Sequence, residues 1–416
     1  MDGATEDQPA GGAKRRAPTR KYQAKQAAFV RAAVEELNRK GMRGMTLGDV
    51  AARLNLVPTG VIYYFKSKED LAAAAFAKGI ERFEALIAAG EGRATDAERI
   101  KALVDAYFED KRGVDRDEAD PIVVFNDVRA LNSPSVNAAY VAMFRNARRL
   151  LAGPEVLPRL HRNARAHLLL SEMFWIVAWL DPSEADDYPR AAERMGAILT
   201  RGMMAEGVAW PQPQPILLAR EGDPDAEASS ELFLRAATEL INEEGYHGAS
   251  VERIAGRLNF SKGAFYHHNE TKDELVVACF ERTLDTMWRA IHEAERAGGS
   301  GLQVLVTIAA ALIERQTRGG APLLRTSALT SVPEAIHARL LGRFDRLTHR
   351  FASILCDGVA DGSVRPVDVS TAAQMLTAAI NAAAEIHYWA PGLTSQTVVD
   401  HYVRPLFEGL CSPARP

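Results

Sequence analysis

One stretch of this chain occurs twice, and that duplication restricts the fold more than any other feature. Residues 46–71 and 250–275 match without a gap: Leu54 pairs with Leu258 and Leu71 with Leu275, an offset of 204. Solenoid repeats recur every 20–50 residues or so, so this spacing points to a duplicated domain. Thr46 and Ser250 occupy helix N-cap positions, and Asp49, three residues after Thr46, makes a capping-box-like arrangement. Apolar residues then recur at helical spacing, Leu47, Val50, Ala51 and Leu54 in one copy and Val251, Ile254, Ala255 and Leu258 in the other. Asn55 and Asn259 follow, a residue type that tolerates the left-handed turn conformation, and Pro58 suits the first turn of a new helix. The second helix is short and polar-aromatic: Pro58, Thr59, Gly60, Tyr63 and Tyr64 in copy one, and Ser261, Lys262, Gly263, Tyr266, His267 and His268 in copy two. Lys68 and Lys272 lie just beyond. That is the build of a helix-turn-helix, whose second helix enters the major groove while flanking cations meet phosphates.

The flanks repeat as well. Helix 1 is expected over about residues 25–40, with Phe29, Ala33 and Leu37 on one face; its twin, 229–244, carries Phe233, Ala237 and Ile241. Gly41 and Gly245 stand where C-cap glycines end helices. Residues 1–20 read as a disordered arm with a basic cluster, Lys14, Arg15, Arg16, Arg20 and Lys21. Such a cluster is either a solvated tail or an arm for the adjacent minor groove, and its place just before helix 1 favours the arm. Beyond each motif only helical periodicity is found, in repeat one over 71–88, 98–111, 120–131, 135–151, 157–179 and 189–206. Residues 211–227 form a linker, Pro-rich from Trp210 to Pro215 and acidic from Glu221 to Asp225. Residues 322–333 echo 121–134, and Trp389 is taken as the counterpart of Trp179, so the duplication extends through the second half of each repeat.

The residues Ser261-Lys262-Gly263-Ala264-Phe265-Tyr266-His267-His268, followed by Thr271-Lys272-Asp273-Glu274-Leu275, resemble the DNA-binding signature of TetR-type bacterial repressors. Residues 58–71 look like a variant of it. At the family's phosphate-contacting Tyr position copy one has Ile62 and copy two Tyr266; at its packing Phe position they have Phe65 and Asn269. The resemblance implies an all-α chain of two tandem TetR-like units, each a three-helix helix-turn-helix domain with a helical effector-binding and dimerisation domain. The divisions are 21–71 and 72–210 for repeat one, and 228–275 and 276–416 for repeat two. Family members dimerise through the last two effector helices. Here those are 157–179 with 189–206, and 369–388 with 394–410, which would form an internal bundle in a monomeric pseudo-dimer. The alternative is a homodimer carrying four motifs. The family mechanism would place the recognition helices in successive major grooves about 34–36 Å apart, with an effector favouring a wider-spaced state.

Other classes fare worse. The sequence has no Gly-rich phosphate loop, nucleophile elbow or zinc motif, and its ten histidines form no metal set, so neither an enzyme nor a cofactor is expected. Cys279, Cys356 and Cys411 are too far apart for a disulfide framework, no apolar run spans a membrane, and a cytoplasmic location is expected. The net charge of −4 is uneven: residues 25–71 carry eight Lys/Arg against five Asp/Glu, whereas 229–275 carry five against eight. Repeat one is therefore expected to be the stronger anchor on a double-stranded DNA operator. For an effector, Tyr107, Phe125, Arg129, Tyr140, Phe144, His167, Trp175 and Trp179 are candidate lining residues for a small apolar or aromatic molecule. Singly, each aromatic reads better as core. A TetR-fold binding or scaffold protein without operator recognition is the competing class.

Overall fold

Side chains that accept a backbone N–H set the helix starts. Thr46, Thr95 and Thr271 form capping boxes with Asp49, Glu98 and Glu274, and Ser67, Ser250 and Ser300 cap in the simpler way. A computed structural model of the chain describes residues 19–151, 157–218, 224–258, 271–318, 322–332 and 334–413. Among these residues there is no strand, only an isolated bridge between Met204 and Val364. Repeat one runs α1 (Arg20–Gly44), α2 (Leu47–Arg53), α3 (Pro58–Ile62), α4 (Lys68–Ala88), α5 (Asp96–Asp115), α6 (Pro134–Arg149), α7 (Arg159–Trp175) and α8 (Tyr188–Arg201). Repeat two runs α9 (Pro224–Gly248), α10 (Val251–Arg257), α11 (Lys272–Ala297), α12 (Gly301–Thr317), α13 (Glu334–Ala360), α14 (Val369–Ala382), α15 (Ile386–Trp389) and α16 (Arg404–Glu408). The chain is thus all-α, two tandem units that pack as a pseudo-dimer.

The two units are built by the same contacts. The Asn38 carboxamide donates to the Ile122 carbonyl (2.7 Å) and accepts from the Val124 N–H (2.9 Å). Asn242, 204 positions on, donates to Leu323 (2.9 Å) and accepts from Arg325 (2.9 Å). Each carboxamide thereby satisfies an irregular backbone segment at a level where water is scarce. Those segments lead into the 3₁₀ turns Phe125–Leu131 and Thr326–Ser331. Each turn packs against both α1 and α9, so the first helices of the two repeats meet across the pseudo-dyad. Gly41 (φ 69°) and Gly245 (φ 73°) break α1 and α9 one turn before their ends, at the expected C-cap positions.

The repeats join through α7, α8, α14 and the C-terminal segment, the bundle the resemblance implied. Met173, Ile176, Met375, Ala379 and Ile386 are buried there. Backbone also crosses: the Met203 and Met204 N–H groups donate to the Phe407 carbonyl (2.7 and 3.0 Å), and Leu410 donates to Leu199 (2.7 Å). Gly202 (φ 68°) and Gly409 (φ 92°) make this approach possible, because a Cβ on Gly202 would lie 2.0 Å from the Phe407 oxygen. Buried Arg165 donates to the Leu410 and Ser412 carbonyls (2.8 and 2.6 Å), and Asn163 donates to that of Trp389 (2.9 Å).

Several expected boundaries need correction. Arg20 and Lys21 belong to the first turn of α1, which Thr19 caps by accepting from the Tyr22 N–H (3.3 Å), not to an arm. Residues 120–124 are irregular and 125–131 form a 3₁₀ turn, not α-helix. Left-handed Gly202 ends α8, so the helix does not reach residue 206. The helix expected over 394–410 is a π turn, Val399–Val403, and then α16, because Pro405 has no N–H to continue the ladder. Residues 211–218 lie extended on repeat two rather than acting as a free spacer: Gln303 donates to the Gln212 carbonyl (2.7 Å) and the Gln214 N–H to Thr307 (3.1 Å). α7 and α14 both pass into 3₁₀ turns, at Ile176 and Ala383, which brings Ile386 rather than Trp389 into register with Trp179.

Glu172, 1% exposed on α7, has an Oε1 without a partner, and burial raises its pKa well above the usual carboxylate range. The unfolded chain releases this proton at ordinary acidic pH while the fold retains it. Stability is therefore full below the unfolded pKa and falls as pH rises toward the folded one. Glu172→Gln should unfold at a higher temperature than the native chain at about pH 8, with the difference shrinking toward about pH 4. Equal gains at both ends of that range, read by circular dichroism melts, would contradict this account.

Candidate nucleic-acid interface

The first helix-turn-helix is described throughout. Thr46 and Asp49 close the capping box at the start of α2, and Asp49 also pairs with Lys40 (2.7 Å), which holds its carboxyl below the usual range. Asn55 takes the left-handed conformation (φ 54°), and Pro58 occupies the first turn of α3. Val61 and Phe65 are buried beneath α3, whereas Val57, Ile62 and Tyr63 are exposed, Tyr63 at 75%. Tyr64 instead lies against Tyr22 and Phe29 (ring centroids 4.6 and 5.2 Å apart), fixing the end of α3 on α1. Gly60 has φ outside the left-handed region, and a Cβ there would meet nothing within 4 Å. Neither backbone strain nor internal packing requires this glycine, so what it keeps open is the outer face.

In repeat two, Ser250 caps α10 by accepting from the Arg253 N–H (3.3 Å). Ser261, Lys262, Gly263, Tyr266, His267 and His268 lie outside the described residues, as do Arg15 and Arg16. Eight positions separate Gly60 from Lys68 and nine separate Gly263 from Lys272, so copy one is a residue shorter between them. Aligned on the glycines, Tyr63 matches Tyr266, a correspondence that the gapless offset hides.

The cations of the two copies are deployed differently. Arg53 pairs with Glu35 and Glu36, and its counterpart Arg257 with Glu239 and Glu243, so this clasp serves both folds. The Lys40–Asp49 pair is mirrored with reversed sign by Glu244 and Arg253. Glu244 also accepts from Arg43 of repeat one (3.2 Å), tying the two domains together. Lys68 Nζ donates to the Met42 and Arg43 carbonyls (3.4 and 3.3 Å), capping α1 from just beneath the interface. Lys272 lies over the Tyr246 ring (4.2 Å), and burial lowers its pKa. Arg20, Lys21, Lys25 and Lys66 are exposed and have no carboxylate partner among the described residues. Their counterparts at the offset of 204 are Pro224, Asp225, Ser229 and Glu270, none of them basic.

Of the candidate effector residues, Phe125, Arg129, Tyr140, His167 and Trp175 line one cavity of about 1130 Å³, which both repeats enclose. The other three are committed to packing: Tyr107 against Phe83, Phe144 stacked on Trp389 (4.3 Å), and Trp179 against Phe108. Sequence periodicity could not show that repeat two supplies the opposite wall, including Phe344, Gln374, Glu385 and Tyr388. No group of three or more His, Cys, Asp or Glu among the described residues is arranged to hold a metal ion, and no helix among them is long and apolar enough to cross a membrane.

The family model for bacterial regulatory proteins of the tetR family matches residues 29–75 and 233–279, again 204 apart. The transposon Tn10 TetC protein of Escherichia coli is 38% identical over 52 residues, covering 12% of this chain and 26% of that protein. The HTH-type transcriptional repressor KstR2 of Rhodococcus jostii is 27% identical over 197 residues, covering 44% of this chain and 91% of that protein. Among solved structures, apo AibR matches with a TM-score of 0.37 and 21% identity over 43% of this chain and 99% of its own. The matched family is one of regulators, and no catalytic family is indicated. Both matches fall on the duplicated helix-turn-helix stretches, so the chain carries two tandem domains of the tetR type of bacterial regulatory proteins.

Proposed function

We propose that the chain is a ligand-responsive transcriptional repressor that binds its operator as a single-chain pseudo-dimer, anchored mainly by repeat one. The observation that carries this reading is the set of exposed, unpaired cations beside α3 that have no basic counterpart in repeat two. Phosphate attraction supplies most sequence-independent affinity, so the basic copy holds the DNA and the acidic copy adds selectivity. The internal bundle already supplies both halves of the family's dimer, so the particle is a monomer of 45.4 kDa. The operator should accordingly lack good palindromic symmetry, because two-fold sites mirror two-fold proteins.

Mixing the purified chain with fragmented DNA from its source genome, then sequencing the bound fraction, tests the regulator directly. Discrete enriched sites are expected; only salt-sensitive binding everywhere would favour a scaffold that has lost operator recognition. Light scattering at micromolar concentration should give the monomer mass, and twice that mass would overturn the single-chain reading. On the enriched site, Lys21→Ala with Lys66→Ala should flatten the plot of log affinity against log salt by about two, roughly 0.9 per lost phosphate contact. Lys272→Ala should leave that slope nearly unchanged, since its ammonium is held on Tyr246. Gly60→Ala should keep or slightly raise the melting temperature, as Ala is favoured within a helix, yet weaken operator binding roughly tenfold by crowding the DNA face. Equal salt-slope losses in the two repeats, or an unchanged affinity for Gly60→Ala, would count against the assignment.

A further inference from the structure

The cavity between the repeats has chemistry of its own. The Arg129 guanidinium lies over the Tyr388 ring (4.0 Å) and the Trp389 ring (5.0 Å), both contributed by repeat two. Among the described residues no carboxylate pairs with it, whereas the neighbouring Arg325 is already held by Glu385 (2.5 Å). Stacking fixes the plane of a guanidinium while leaving its N–H groups available, the arrangement that suits an anion. His167 on the same wall is 5% exposed, its Nδ1 has no partner, and burial lowers its pKa to about 4, so the ring is neutral. Around these polar groups stand Phe125, Tyr140, Phe174, Trp175 and Phe344. The cavity is pseudo-symmetric in backbone but not in charge, because at the offset of 201 that relates Val124 to Arg325 the counterpart of Arg129 is Thr330.

We propose that one amphipathic organic anion, an aromatic or medium-chain carboxylate, binds per chain in this shared cavity, its anionic head on Arg129 and its apolar body among the aromatic side chains. Its position also gives it leverage. The cavity is bounded by Asn38–Arg43 of α1 and Asn242–Tyr246 of α9, including the Arg43–Glu244 pair that spans the repeats. An occupant touching both ends biases the separation of the two helix-turn-helix units directly. That coupling rests on the proposed regulator; binding itself does not, so binding is measured without DNA.

The probes are 1-anilinonaphthalene-8-sulfonate, an aromatic anion, and N-phenyl-1-naphthylamine, its neutral relative, titrated into the full chain by fluorescence. One tight site per chain is expected for the anion. Arg129→Gln should weaken the anion by about tenfold or more and leave the neutral probe within about twofold, since only a charge-assisted contact is lost. Tyr388→Ala, at a half-exposed residue whose loss leaves the core intact, should weaken the anion selectively too, because repeat two then no longer holds Arg129 flat. Two equivalent sites per chain, which the native protein alone can reveal, would overturn the proposal. So would equal effects of Arg129→Gln on both probes, or an unaltered anion affinity in Tyr388→Ala.

Discussion

Everything else in this molecule hangs on the seam where the two repeats exchange backbone hydrogen bonds. Phe407 accepts from Met203 and Met204, Leu410 donates to Leu199, and Arg365 donates to the carbonyls of Gly202 and Ala197. Two left-handed glycines let the chains approach this closely, and Arg165 and Asn163 cover carbonyls that would otherwise be buried unpaired. Separating the repeats would exchange each of those bonds for water, at about 0.5–1.5 kcal/mol apiece, besides exposing the apolar faces of α7 and α14. The pseudo-dyad is therefore a property of one chain and does not depend on protein concentration.

Within that frame, packing is symmetric and charge is not. The Asn38 and Asn242 latches recur because each satisfies backbone groups of an irregular segment, and the Arg53 clasp holds the buried carboxylate of Glu36. An exposed side chain carries no such obligation, since surface changes usually stay within about 0.5 kcal/mol. The sequence can thus carry Lys21 and Lys66 in one repeat where Asp225 and Glu270 stand at the matching positions of the other. A scaffold that enforces two equivalent platforms leaves each free to acquire its own surface, and the net charge of the whole chain conceals the difference.

The same distinction explains what the sequence made legible. Caps, the left-handed Asn55, the Gly41 and Gly245 breaks and the register of the duplication are local signals, and they were readable residue by residue. Five of the eight candidate effector residues do face one cavity, but the partners that complete it, Phe344 and Tyr388, lie some two hundred positions away on another helix system. The 3₁₀ turn at 125–131 has the periodicity of a plain helix, yet it follows a segment held by the Asn38 latch, which no local pattern encodes. Long-range satisfaction of backbone groups is the term that short-window patterns omit.

The geometry near the dyad also bears on how little free energy a switch would need. α2 and α3 hang from the end of α1 just past Gly41, and α10 from the end of α9 just past Gly245, where left-handed glycines carry the change of direction. The charged link between these ends, Arg43 with Glu244, joins a side chain 44% exposed to one 19% exposed. A pair so open to solvent is worth about 0–1 kcal/mol. The seam that defines the dyad is deep and costly to break, while the charged link nearest the helix-turn-helix units is shallow and cheap to break. What resists a change of spacing there is the packing of α1 and α9 on each other and on the two 3₁₀ turns, with the ion pair adding little.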